Sequence, residues 1–233
     1  MERTHGENGL GRHPAGSQPG VSPTRATVPP SIPAPDPIGE IIDTSVADFS
    51  AQACKLNVAP PFGAFVKVTL PEQAAGPGRT IYAVVYAIHT GSLEPGGRPV
   101  LRGRDGMRDG AIFTANPDLE QLLRTEFSAL IIGFDEGGPV RTFLPPSPPP
   151  LHWSVVTCTD AEVARLSERL DYFRTIIAAR DAPVDALLVA NIRLASEASQ
   201  HVAAFRLRAG RELATLLKHD YPRLTAILRA LVD

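Results

Sequence analysis

The sequence predicts an α+β protein: a small closed β-barrel followed by a C-terminal antiparallel α-helical bundle. Three observations carry this. Residues 38–144 are short alternating or β-branched runs separated by Gly/Pro turns, which suits a small barrel better than a parallel sheet. From Thr159 onward, apolar residues recur at spacings of three and four, the period of helices with one buried face. Between these regions stand five prolines in the six residues 145–150, a stiff polyproline spacer.

The chain opens with a tail, 1–37, that holds 8 of the 23 prolines and no aromatic residue. Such a composition buries too little apolar surface to offset its ordering entropy, so a disordered segment is expected. The barrel segment, 38–144, begins with a weakly alternating strand over 38–43 that ends in the turn signal Asp43-Thr44-Ser45. A second strand is read from Ser50 to Val58, stopped by Pro60-Pro61. Ala64 to Leu70 alternates cleanly, and Thr80 to His89 is a long β-branched and aromatic run. The Gly/Pro loop between them makes the pair a hairpin. Residues 91–110 form a glycine-rich loop, and Asn116-Pro117 then predicts a short helix with Asn116 as its N-cap. Glu126 to Phe134 reads as a buried strand closed by the turn Asp135-Glu136-Gly137-Gly138, with a short returning strand over Arg141 to Leu144.

The third segment, 145–158, is the proline strap and one more strand, Leu151 to Cys158, carrying the single tryptophan Trp153. The helical segment, 159–233, starts at the capping-box pattern Thr159-Asp160-Ala161-Glu162. Behind it Val163, Leu166, Leu170, Phe173 and Ile177 step by 3, 4, 3 and 4, a heptad seam expected to pack helices or to close an oligomer. Asp181 and Pro183 start the next helix, whose apolar period continues to Phe205 with a polar break near Ser196 to Gln200. Asp220-Tyr221-Pro222 begins a last helix through Leu231.

A net charge of −2 excludes a strongly basic nucleic-acid binder. Two cysteines cannot staple a chain of 233 residues, and no apolar run approaches a membrane span, so a cytoplasmic protein without membrane contact is expected. The three lysines, Lys55, Lys67 and Lys218, never follow glycine, so there is no Walker loop. G-x-S-x-G, H-E-x-x-H and C-x-x-C are also missing. A His152–Cys158 nucleophile pair fails on distance, since six residues of strand span about 20 Å. Asp105, Asp109, Asp135 and Glu136 read as turn-forming acids. No catalytic residue, cofactor or metal site is expected. Arg98, Arg102, Arg104 and Arg108 form a cationic cluster, a candidate contact for nucleic acid or a partner. The segment 38–159 around them carries 9 basic against 12 acidic residues, so any nucleic-acid binding should be weak.

With IGEIIDTSVADFSAQACKL opening the barrel segment, then PPFGAFVKV and IYAVVYAIHTGS, the region 38–144 resembles the HAS-barrel family. This is the small barrel shared by HerA-type DNA translocases and the N-terminal region of F-type ATP synthase α and β subunits. Ala83-Val84-Val85 stands where that family often has glycine. The chain as a whole is similar to stand-alone bacterial HAS-barrel proteins without an ATPase domain. The resemblance implies a non-enzymatic assembly or adaptor protein that self-associates or docks a HerA-like ATPase or nuclease. The alternative is a nucleic-acid-binding barrel that uses loop 98–108 and exposed Tyr82 or Tyr86.

Overall fold

Six strands account for the alternating segments: β1 (Gly39–Thr44), β2 (Asp48–Ala53), β3 (Phe65–Leu70), β4 (Arg79–Ser92), β5 (Leu123–Asp135) and β6 (Ser154–Thr157). The structure is a computed structural model that describes residues 36–72, 78–94, 96–104 and 106–232. All pairings are antiparallel, and the order β1-β2-β5-β4-β3-β6 closes on itself as a barrel. The last strand is the latch. β6 pairs with β1 at Gly39 and Glu40 and with β3 at Val66 and Lys67, so the residues beyond the proline strap complete the barrel wall. The strap is tied to that wall where Thr44 Oγ1 donates to the Pro149 carbonyl at 3.0 Å.

Alternation explains the interior. Ile41, Phe49, Val66, Val68, Ile81 and Phe127 point inward with the small Ala51, Ala83 and Ala129, and fill the barrel with side chains rather than a channel. The apolar runs of β4 and β5 do not alternate because both of their faces are covered. Their outer face, with Phe65 of β3, presents Tyr82, Val84, Leu130 and Ile132 to a layer of helices.

That layer comprises α3 (Asp160–Leu166), α4 (Phe173–Ala178), α5 (Val184–Glu197), α6 (Val202–Leu216) and α7 (Tyr221–Val232). Two short helices, α1 (Gly110–Ala115) and α2 (Leu119–Leu122), lie between β4 and β5. Thr159 and Glu162 form the full capping box at the start of α3. The helices do not form a free-standing bundle: Phe173, Ile176, Leu187, Leu188 and Leu213 share one continuous cluster with the barrel's outer face. The described residues therefore belong to one compact unit. No helix among them is long and apolar enough to cross a membrane.

Several expectations need correcting. The seam from Val163 to Ile177 is not one heptad helix, because α3 stops at Leu166 and α4 begins at Phe173. The Ser167 carbonyl is taken by Arg208 Nη2 at 2.7 Å, and Tyr172 turns inward in the break. Asn116 is not an N-cap; its Nδ2 donates to the Ile112 carbonyl at 2.8 Å and closes α1, a helix the sequence reading did not contain. The second strand ends at Ala53, and Asn57, at φ 60, turns its N–H onto Thr125 Oγ1. Arg141 to Leu144 makes a single bridge, Arg141 to Phe134, because Pro145-Pro146 cannot extend a ladder.

Candidate functional site

β4 and β5 are longer than the barrel needs. β3 accompanies β4 only as far as Val84, and β2 accompanies β5 only from Glu126 to Leu130. Past both limits the two strands continue as a ribbon, pairing Thr90 with Thr125 through Ser92 with Leu123, while Ile88 and His89 of β4 already lie beyond the end of β3. This arm ends in a head built from loop 93–109 with α1 and α2. Ala87 to Thr90 are exposed, and the head presents Val100 at 71% and Leu101 at 86% exposure, with Leu93, Phe113 and Leu122 also exposed. Large apolar side chains left in water on one projecting element make the arm a candidate interaction surface.

The four predicted arginines all lie on this head. Arg102 is engaged: its Nη2 pairs with Asp118 Oδ2 at 3.3 Å and its Nη1 reaches Asn116 Oδ1 at 3.5 Å, which ties the loop to the turn before α2. Arg98 and Arg102 line a cavity of about 260 Å³ with Leu93, Val100, Leu119 and Leu122. Arg104 and Arg108 are exposed and make no salt bridge among the described residues. Asp105 and the tail residues 1–35 lie outside the described residues. The seam residues sit elsewhere: Val163, Leu166, Leu170 and Phe173 are buried under the helical layer, and Ile177 is half-buried against it.

A second concavity, about 630 Å³, opens where the barrel meets α4 and the turn into α5. Tyr86, Leu130, Phe143 and Ala178 line its apolar part, and Asp48, Arg174 and Asp181 stand on its rim. Burial raises the Tyr86 phenol above its usual range, with the Asp48 carboxylate adding to the effect.

Three polar groups, two buried and one partly buried, hold the helices onto the barrel, and sequence reasoning missed all of them. Tyr82, expected to be an exposed nucleic-acid contact, is 1% exposed. Its hydroxyl donates to Asp135 Oδ2 at 2.7 Å, and Arg165 of α3 reaches both. Asp135 is therefore a buried, paired carboxylate as well as the turn former expected, since its Oδ1 also accepts from the Gly137 N–H. Lys67 of β3 pairs with Glu162 of α3. In the third group Tyr172 donates to Asn191 Oδ1 at 2.9 Å, and Asn191 Nδ2 donates to the Gly63 carbonyl at 3.0 Å. The signal for Asn191 was present in the sequence, as one amide inside an otherwise apolar helical face.

Burial opposes ionisation of Glu162, but the Lys67 ammonium and the Thr159 backbone N–H outweigh it and hold the carboxyl below its usual range. A depressed carboxylate stabilises the fold above its unfolded pKa and loses that contribution as pH falls through the folded one. Below about pH 4.3 the protein should therefore lose up to about 1 kcal/mol from this pair. Glu162→Gln should flatten that acid limb in urea titrations at pH 3 to 6; an unchanged limb would show that the pair contributes nothing.

Burial pushes the Cys158 thiol up to about 12, so it stays protonated at neutral pH. His152 instead contacts Glu40 at 2.6 Å on the surface. Among the described residues no three His, Cys, Asp or Glu side chains converge as metal ligands. No protein-family model matches the chain, and no curated protein sequence matches it.

Proposed function

We propose that this chain is a non-enzymatic assembly or adaptor protein of the HAS-barrel type, which works in the cytoplasm and docks a HerA-like ATPase or nuclease through its β4–β5 arm. The carrying observation is the arm itself, which projects past the wall and exposes Val100, Leu101, Leu93 and Leu122. The closed six-stranded barrel supports the family reading. In this reading α5, α6 and α7 form the antiparallel bundle that backs the barrel. Their packing, with that of α3 and α4, covers the outer face of β3, β4 and β5 and leaves the arm's apolar side chains within a partner's reach. Both cysteines are free thiols, in keeping with a reducing compartment. The nucleic-acid reading is weaker, because Tyr82 lies under the helices and Arg102 is already paired.

The test is affinity capture by the full chain from native extract, compared with a Val100→Ser, Leu101→Ser double variant. The expected result is that the wild type retains an ATPase or nuclease and the variant loses it at unchanged melting temperature. Equal capture by both chains would remove the arm from the docking surface.

A further inference from the structure

The arm offers more than apolar side chains; it offers an open strand edge. The Leu93 N–H donates to the Leu122 carbonyl at 2.8 Å. In an antiparallel ladder this makes residues 93, 91 and 89 the ones whose backbone groups face β5, and turns those of Ile88, Thr90 and Ser92 outward. The side-chain contact of Thr90 Oγ1 with Thr125 Oγ1 at 2.8 Å agrees, because opposed side chains approach most closely at non-hydrogen-bonded pairs. On the outward side, β3 and the residues before it stop at Val85, which bonds Gly63 and Ala64. Among the described residues, no neighbouring strand pairs with β4 between Ala87 and Ser92 on that side.

Monomeric proteins protect such an edge with lysine, proline or an inward charge. Ala87-Ile88-His89-Thr90-Gly91-Ser92 contains no Lys, Arg, Asp, Glu or Pro. Here, then, is an unguarded edge beside exposed Ile88, Leu93 and Leu122. We infer that two copies of this chain pair through the β4 edge of the arm, antiparallel about a two-fold axis, joining both arms into one four-stranded sheet.

A second copy suits this open edge better than an unlike partner for two reasons. Antiparallel pairing of one edge with itself is isologous, so the contact closes at two copies instead of propagating. The arm between 92 and 123 carries four arginines against five acids, so it is close to neutral and selects neither a strongly acidic nor a strongly basic partner.

The inference deepens the docking reading and rests on it for the arm's being an interaction surface. Sedimentation equilibrium of the full chain at tens of micromolar is the test. Wild type is expected at twice the chain mass. Ile88→Lys, which sets two like charges beside the axis, should raise the dimer dissociation constant at least about tenfold. Thr90→Pro removes an outward donor, keeps the β4–β5 backbone bonds, loses the side-chain bond to Thr125, and should act in the same direction. Circular dichroism and melting identify either variant that fails to fold, and the other then decides. A monomeric wild type, or a dimer indifferent to both substitutions, would overturn the pairing. Capture of a partner by the arm is read separately, so a failed dimer leaves the docking reading to its own test.

Discussion

Gly63→Ala is expected to lower stability by about 3–4 kcal/mol, roughly 10 °C in melting temperature for a chain of this size. Gly63 has φ +86, and an added Cβ would lie 2.8 Å from both the Ala190 Cβ and the Asn191 backbone nitrogen of α5. Those neighbours are helix backbone and a short side chain, so neither can swing away. The same residue donates its N–H to the Val85 carbonyl and accepts from Asn191 Nδ2, so displacing it disturbs barrel and helix together. Gly137→Ala is the control. It shares the positive φ, +78, but meets nothing within 4 Å, and it should cost only about 1 kcal/mol. Equal effects at the two sites would show that close packing against α5 is not the cause.

Asp135→Ala should be the next most damaging change, at about 2–4 kcal/mol. Arg165 is 44% exposed and can turn its guanidinium to water once the carboxylate is gone. Tyr82 cannot follow, and its hydroxyl is left beneath α3 without its acceptor. The cost therefore falls mainly on Tyr82, and a Tyr82→Phe background should recover a good part of it. Urea midpoints of the two single variants and the double variant measure this coupling. Strict additivity would mean that the hydroxyl and the carboxylate stabilise the fold independently.

Much of the barrel was legible before the fold was known. A strand that sets an apolar stripe against a partly polar one alternates, as Ala64 to Leu70 does with Lys67 and Thr69; a strand with apolar cover on both faces need not, and Glu126 to Phe134 does not. The capping box at Thr159 was equally readable, since a cap is a contact three residues long. The candidate sites were far less legible. The four arginines and the glycine-rich loop stood out, but nothing local showed that Arg102 pairs with Asp118 or that the strands before and after the loop leave the barrel as an arm.

What the sequence determined by itself was most of the barrel strands, the capped start of α3 and which stripe of each avoids water, because propensity, periodicity and capping act within a few residues. What only the tertiary structure decided was which stripe meets which. The heptad seam is divided between α3 and α4, and Arg208, 41 residues away, holds the Ser167 carbonyl in the break. Ser154–Thr157 became the strand that closes the barrel only where Gly39 and Val66 lie in reach on either side. Asp135, an ordinary turn acid in the sequence, became a buried anchor through partners 53 and 30 residues distant. A side chain's pattern of neighbours along the chain records whether it is buried, but the energy of its pairing depends on groups that only folding brings within 3 Å, and no local signal carries their identity.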